Sequence, residues 1–179
     1  MTHVLKINGK EMSVKDFQNS KDLYVRYDLY LSGTQIAQLP EGLHVGGSLY
    51  LEGTQIAQLP EGLHVGGYLD LRGTQIAQLP EGLHVGGSLD LRGTQIAQLP
   101  EGLHVGGSLD LGPYEVSFPE EGKMKIGCQH HSISAWESFT DNEIAAMDRQ
   151  TALRFWRKWK VELVKFAKCQ AQNIKRAAE

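Results

Sequence analysis

The stretch that decides the fold is GTQIAQLPEGLHVGG, residues 33–47, which returns without a substitution at 53–67, 73–87 and 93–107. A strict twenty-residue period, marked by Leu29, Leu49, Leu69, Leu89 and Leu109, predicts a solenoid, because one unit of that length cannot bury its apolar face and stacked units can. Each unit opens on an L-x-L alternation such as Leu49 and Leu51, which reads as a short strand with two leucines inward and the letters around them outward. Gly53 and Thr54 leave the strand, Ile56 and Leu59 return inward, Pro60 sets an extended turn, and Leu63 and Val65 complete the apolar set before a Gly-Gly bend. At about 4.8 Å per coil, four and a half coils make a rod about 20 Å long. The expectation is an α+β repeat protein with a right-handed β-solenoid of four to five coils. An N-terminal cap is expected over 1–28, the coils over 29–112, and a strand plus helical module over 113–179.

Identical letters have a physical reading. A buried column packs best when neighbouring coils share one shape, and the column Thr34, Thr54, Thr74, Thr94 is expected to pass hydroxyl hydrogen bonds from coil to coil. The glycines suit positions where the chain turns tightly or coils crowd.

The string L-x-L-x-x-T-x-I-x-x-L-P, over residues 29–112, resembles the bacterial type of leucine-rich repeat, the twenty-residue class of secreted effectors and of small phage and prophage proteins. Thr stands where that family carries a buried asparagine ladder, and Val45-Gly46-Gly47 replaces its leading leucine. A triangular β-helix therefore stays open as an alternative cross-section. The resemblance implies a flat or concave strand side that binds other proteins. The tail, IGCQHHSISAWESFTDNEIAAMD followed by FWRKWK, is similar to a module that follows short repeats in phage and prophage proteins. That likeness implies a phage-encoded protein acting inside a bacterium by blocking a host defence or regulatory protein.

Between the invariant blocks the chain reads SLYLE, YLDLR, SLDLR and SLDLG, and the first coil is entered through DLYLS. All variation falls in three outward columns of one sheet, while the exposed positions Gln55, Ala57, Gln58, Glu61 and His64 stay constant from copy to copy. The varied face is the candidate protein-binding surface. Tyr30, Tyr50 and Tyr68 supply rigid amphipathic area at one end. Glu52, Asp70, Arg72, Asp90, Arg92 and Asp110 supply charge at the other. The competing structural reading is that Asp/Arg neighbours offset repulsion within an aspartate column and that tyrosine is a good strand residue.

His44, His64, His84 and His104 form another column. Imidazole ligates metals, but no carboxylate or cysteine interleaves, so no metal is expected. Instead the column should repel itself and weaken the fold on protonation near pH 6. Cys128 with His130 and His131 is the one cluster resembling a nucleophile and its base. Ubiquitin ligases that join such repeats to a catalytic cysteine have far longer catalytic domains than the sixty residues left here. Cys128 is therefore read as a buried small side chain in a strand-to-helix turn, and no enzyme activity or cofactor is expected.

The ends differ in charge. Residues 1–119 carry seven basic and thirteen acidic side chains, and 120–179 carry eleven and eight. HVLKI, an Asn8-Gly9 turn and a helix starting near Ser13 fit the N-terminal cap. After the GPYEVSFPEEG loop and strand-like KMKIGC, helices are expected in SISAWESF, from the capping box Thr140–Glu143 through Met147, and in TALRFWRKWKVELVKFAKCQAQNIKRAAE. The last helix carries a stripe of Leu153, Trp156, Trp159, Leu163, Phe166 and Ile174 opposite Arg154, Arg157, Lys158, Lys165, Lys168 and Lys175. Packing as a C-terminal cap is the plainest reading, with homodimerisation and nucleic-acid binding through the basic side as competitors. The two cysteines, Cys128 and Cys169, read as reduced thiols. Without a signal peptide or spanning segment the expected location is the cytoplasm, that of the host if phage-encoded.

Overall fold

The computed structural model describes the backbone of residues 4–178 and side chains through residue 172. The chain forms two compact units, Met1–Leu109 and Asp110–Glu179, so cap and coils share the first.

The first unit opens with an antiparallel hairpin of β1 (Val4–Ile7) and β2 (Lys10–Ser13). Asn8 (φ 52°) and Gly9 (φ 79°) close it, the left-handed pair that a two-residue hairpin turn requires. Helix α1 (Val14–Asn19) follows. Ser13 caps it by accepting the Asp16 N–H at 3.1 Å, and Phe17 is fully buried.

The coils come next, and each contributes two short strands where the sequence suggested one. β3 (Tyr24–Val25), β5 (His44–Val45), β7 (His64–Val65), β9 (His84–Val85) and β11 (His104–Val105) form one parallel sheet in that order. β4 (Leu29–Tyr30), β6 (Leu49–Tyr50), β8 (Leu69–Asp70) and β10 (Leu89–Asp90) form the other. β12 (Leu109–Asp110) spans the division between units. Register follows the repeat, with Leu49 opposite Leu69 and His64 opposite His84. Residues 53–62, between the strands of successive sheets, are turns and irregular chain.

The two sheets meet at the Gly-Gly bend, and there glycine is obligatory. A Cβ on Gly66 would lie 2.3 Å from the carbonyl oxygen of Gly46 in the preceding coil. Backbone bonds run between coils on both sides of the bend, as in Leu49 N–H to Tyr68 O at 2.8 Å and His64 N–H to Leu43 O at 3.0 Å. Leu49, Leu51, Ile56, Leu59, Leu63 and Val65 and their copies are buried, each removing apolar surface worth roughly 1.5–3 kcal/mol. The threonine column works differently from the expectation. Each hydroxyl donates within its own coil, Thr54 to Leu51 O at 2.8 Å and Thr74 to Leu71 O at 2.8 Å, which closes the turn after the strand and leaves coil-to-coil bonding to the backbone.

The second unit holds β13 (Glu115–Ser117), β14 (Lys123–Ile126) and β15 (Gln129–Ser132), joined antiparallel, then α2 (Ile133–Ser138) and α3 (Asp141–Ala178). Thr140 and Glu143 make the expected capping box, with Thr140 N–H on Glu143 Oε2 at 2.8 Å. Helical geometry breaks at Asp148 (φ −155°) and Arg149 (φ 46°), just past Met147, where the sequence separates a short helix from a long one. Trp136 packs on Trp156 at 5.3 Å and Phe118 on Phe166 at 5.3 Å. Leu163, Trp159 and Phe166 of the apolar stripe are buried and Leu153 is half-buried. The side chains of Ile174 and Lys175 lie outside the described residues.

Both units carry one local plan. Leu5-Lys6-Ile7 and Met124-Lys125-Ile126 end the first hairpin strands, and the second strands end in Ser13 and Ser132. Each serine caps a six-residue helix, Ser132 by accepting Ala135 N–H at 3.1 Å. Four residues past each cap stands a buried aromatic, Phe17 or Trp136.

Candidate interaction face on the repeat coils

The outward columns are built in three different ways. In the first, side-chain oxygens accept backbone N–H groups one coil on. Asp28 Oδ1 accepts from Ser48, Ser48 Oγ from Tyr68, and Ser88 Oγ from Ser108, at 2.7–3.1 Å. These small polar residues are therefore structural. Tyr68 departs from the pattern and sends its hydroxyl to Asp90 Oδ2 at 2.9 Å.

The second column is aromatic at one end. Tyr30 and Tyr50 stack face to face, centroids 4.7 Å apart and 2° from parallel, and Tyr68 leans on Tyr50 at 6.0 Å. Tyr30 is 66% exposed, and its hydroxyl donates to Asp28 at 3.0 Å. That bond to a carboxylate, with its negative charge, raises the Tyr30 phenol above its ordinary value.

The other end of the second column and the third column form a network. Asp70 and Asp90 lie on the outward side, yet they are only 1% and 2% exposed, so they do not offer the accessible carboxylates that the alternation suggested. Arg72 covers Asp70 with Nε on Oδ1 at 2.9 Å and Nη2 on Oδ2 at 2.6 Å, and reaches Glu52 at 3.1 Å and Asp90 at 3.6 Å. Arg92 covers Asp90 in the same way, Nη2 on Oδ2 at 2.5 Å. Hydrogen bonding to Asp70 holds the Arg72 guanidinium well above its usual range. Burial pushes the Asp90 carboxyl up, but the bonds from Arg92 and Tyr68 outweigh it and hold the group below its ordinary value. Burial and the bond to Asp90 raise Tyr68. Solvent on this half meets the outer edges of Arg72, Arg92 and Glu52, over carboxylates already paired. Asp110 is half-buried and accepts the Gly112 N–H at 3.1 Å.

Two exposed aromatic residues outside the varied columns escaped the sequence reading. Tyr24 and Tyr27 are 52% and 67% exposed, in the segment assigned to a cap without function. The signal was present in Y-x-x-Y-x-x-Y at 24, 27 and 30. Tyr24 heads the histidine column, 4.9 Å from His44, and the imidazoles follow at 4.2, 4.3 and 4.4 Å. Burial first, and neighbouring imidazoles second, lower His64 and His84 below their ordinary value. Among the described residues no group of three or more His, Cys, Asp or Glu is placed to hold a metal ion.

The remaining candidates lie in the second unit. Arg157 pairs with Asp141 at 2.5 Å and Lys168 with Glu137 at 2.9 Å, and Lys165 is engaged as well. Arg154 and Lys158 are exposed, with Lys158 Nζ 4.7 Å from the Trp159 ring centre. Arg157 and Lys168 are thus matched by carboxylates of their own unit. Cys128 sits in the hairpin turn between β14 and β15 and is exposed, which corrects the expectation of a buried thiol before a helix. His131 packs edge-on against Trp136 and Phe139 at 5.3 and 5.0 Å. No helix among the described residues is long and apolar enough to cross a membrane.

These features define a β-solenoid repeat protein with a helical C-terminal unit. Comparison with protein-family models, curated proteins and solved structures finds no match to this chain.

Proposed function

We propose that this chain is a protein-binding module that recognises its partner through the varied solenoid face, with the tyrosine end as anchor. The observation that carries the reading is the Tyr30–Tyr50 stack, fixed at 4.7 Å and exposed at Tyr30, on the face where all differences between repeats fall. Tyrosine held rigid before binding loses little conformational freedom on contact, and such aromatics dominate protein interfaces. Arg72 and Arg92 add guanidinium edges whose geometry their own aspartates fix. The finer reading is of a phage-encoded protein in the host cytoplasm that blocks a bacterial defence or regulatory protein, and it rests on the likeness of the tail to phage modules.

The test is a tagged pull-down from bacterial lysate with wild type beside a Tyr30→Ala/Tyr50→Ala variant, each with and without nuclease. A protein band that survives nuclease and disappears in the variant, at unchanged melting temperature, supports the reading. A signal that ignores the tyrosines and vanishes with nuclease overturns it in favour of the exposed Arg154 and Lys158 side of the long helix.

A further inference from the structure

The tyrosine end of the varied face is open in a way that its charged end is not. Tyr30 has one ring face against Tyr50, at 4.7 Å and 2° from parallel, and its hydroxyl is bonded to Asp28. The residue is nevertheless 66% exposed, so its second ring face meets solvent. Asp28 is exposed beside it. Its Oδ1 accepts the Ser48 N–H at 2.7 Å and its Oδ2 the Tyr30 hydroxyl at 3.0 Å. A carboxylate has about four acceptor positions, so this one keeps capacity for further donors. Among the described residues no lysine or arginine pairs with it, the exposed Arg26 included.

The charged end shows what an outward carboxylate of these coils takes. Asp70 and Asp90 are each covered by a guanidinium of the chain itself, from Arg72 and Arg92. At Asp28 the chain supplies none, and residues 1–109 carry seven basic against eleven acidic side chains. A guanidinium suits both halves of this open place. It is flat, so it can lie on the free face of Tyr30 and continue the stack, and its fork of N–H groups matches a carboxylate. A lysine ammonium is compact and presents no flat face. An uncharged ring would cover Tyr30 and leave the carboxylate without a cation, and an anion would be repelled by it.

We propose that the partner of this face presents an arginine, whose guanidinium lies on the free face of Tyr30 and donates to the Asp28 carboxylate. The partner surface is then basic where it meets the tyrosine end. This inference rests on the protein-binding reading and gives its anchor a chemistry.

The experiment is an NMR titration of the full chain with the blocked peptide acetyl-Gly-Arg-Gly-amide, beside the same peptide carrying lysine or citrulline, the neutral analogue of arginine. The signals followed are the Tyr30 and Tyr50 ring protons and the Ser48 N–H. The expected result is a saturable shift at Tyr30 and Ser48 with the arginine peptide, weakened by salt, with lysine weaker and citrulline weakest. Asp28→Asn keeps an acceptor for the Ser48 N–H and should lower arginine affinity about tenfold. Tyr30→Leu should lower it about threefold. The Ser48 and Tyr50 signals of the unliganded variants report whether the first coil keeps its shape, and the wild-type comparison of peptides stands without them. Absence of a saturable shift, equal affinity for arginine and citrulline, or unchanged affinity in Asp28→Asn overturns the inference. A pulled-down protein that is lost in Tyr30→Ala/Tyr50→Ala and kept in Asp28→Asn would also overturn it while leaving protein binding through this face standing. Arginine-specific shifts with no captured protein would support the site and count against the broader reading.

Discussion

The coils and the C-terminal unit are held together by opposite strategies. In the constant columns of the coils like packs against like: leucine on leucine, imidazole on imidazole, and amide on amide where Gln55 donates to Gln35 at 3.0 Å and Gln95 to Gln75 at 3.1 Å. In the C-terminal unit the contacts are unlike and gather on few residues, with Trp136 touching Trp156, Phe139 and His131 and bonding Met124. The difference teaches that a column spreads its stability over many equivalent positions, each bounded by two neighbours, whereas a heterogeneous core concentrates it. It also bears on the varied face. Of the constant outward columns, the histidines stack and glutamines pair amide to amide, so these residues contribute to stability, whereas the side chains of the varied strand columns are bonded in several different ways.

The comparison breaks most sharply at Trp136. Trp136→Ala should cost about 3–5 kcal/mol by denaturant unfolding of the full chain, and a loss no larger than that of one coil leucine would end the idea of a concentrated core. Gly66→Ala comes next, at about 1–3 kcal/mol, because its methyl meets the Gly46 carbonyl at 2.3 Å. A near-neutral result would mean that the coils relax apart more easily than the bend implies. Asp90→Asn should cost about 1–2 kcal/mol by removing the charge that Arg92 and Tyr68 bond, and the loss should shrink in acid. Asp90 is held below its ordinary value, so its contribution is present above the ordinary carboxylate range and disappears as pH falls through the lowered one.

Smaller effects sharpen the comparison. Ser13→Ala and Ser132→Ala should each cost about 1 kcal/mol, since both hydroxyls cap helices in the same way; unequal losses would show that the shared plan differs in what depends on it. Smallest is the histidine column. His64 and His84 are lowered from 6.5, so the unfolded chain takes up protons that the coils resist. Stability is full above pH 6.5 and falls as pH drops from there through the lowered values, then levels off. His64→Gln/His84→Gln should flatten that decline in melting temperature, while the C-terminal aromatic core keeps its near-ultraviolet circular dichroism throughout.

The paired hairpin–helix units mark the limit of pattern reading. Ser13 and Thr140 were legible as helix starts because capping is local. The likeness of KINGKEMSVKDF to KIGCQHHSISAW is carried by three or four positions, Ile7 with Ile126, Ser13 with Ser132 and Phe17 with Trp136, too sparse to register beside a fifteen-letter repeat. Strand β15 was missed for a related reason. Gln129-His130-His131-Ser132 has little strand propensity of its own and extends because β14 pairs with it.

The sequence by itself determined the period, the inward leucine, isoleucine and valine columns, the helix caps and the break after Met147, because each depends on neighbours along the chain or on an exact repeat. Only the tertiary structure decided that each coil carries two sheets, that the threonines bond within their own coil, that Asp70 and Asp90 are covered by arginines, and that Trp136 bonds Met124. Those depend on distances between coils and between helices, and no periodicity encodes which partner a polar side chain finds once the backbone has closed around it.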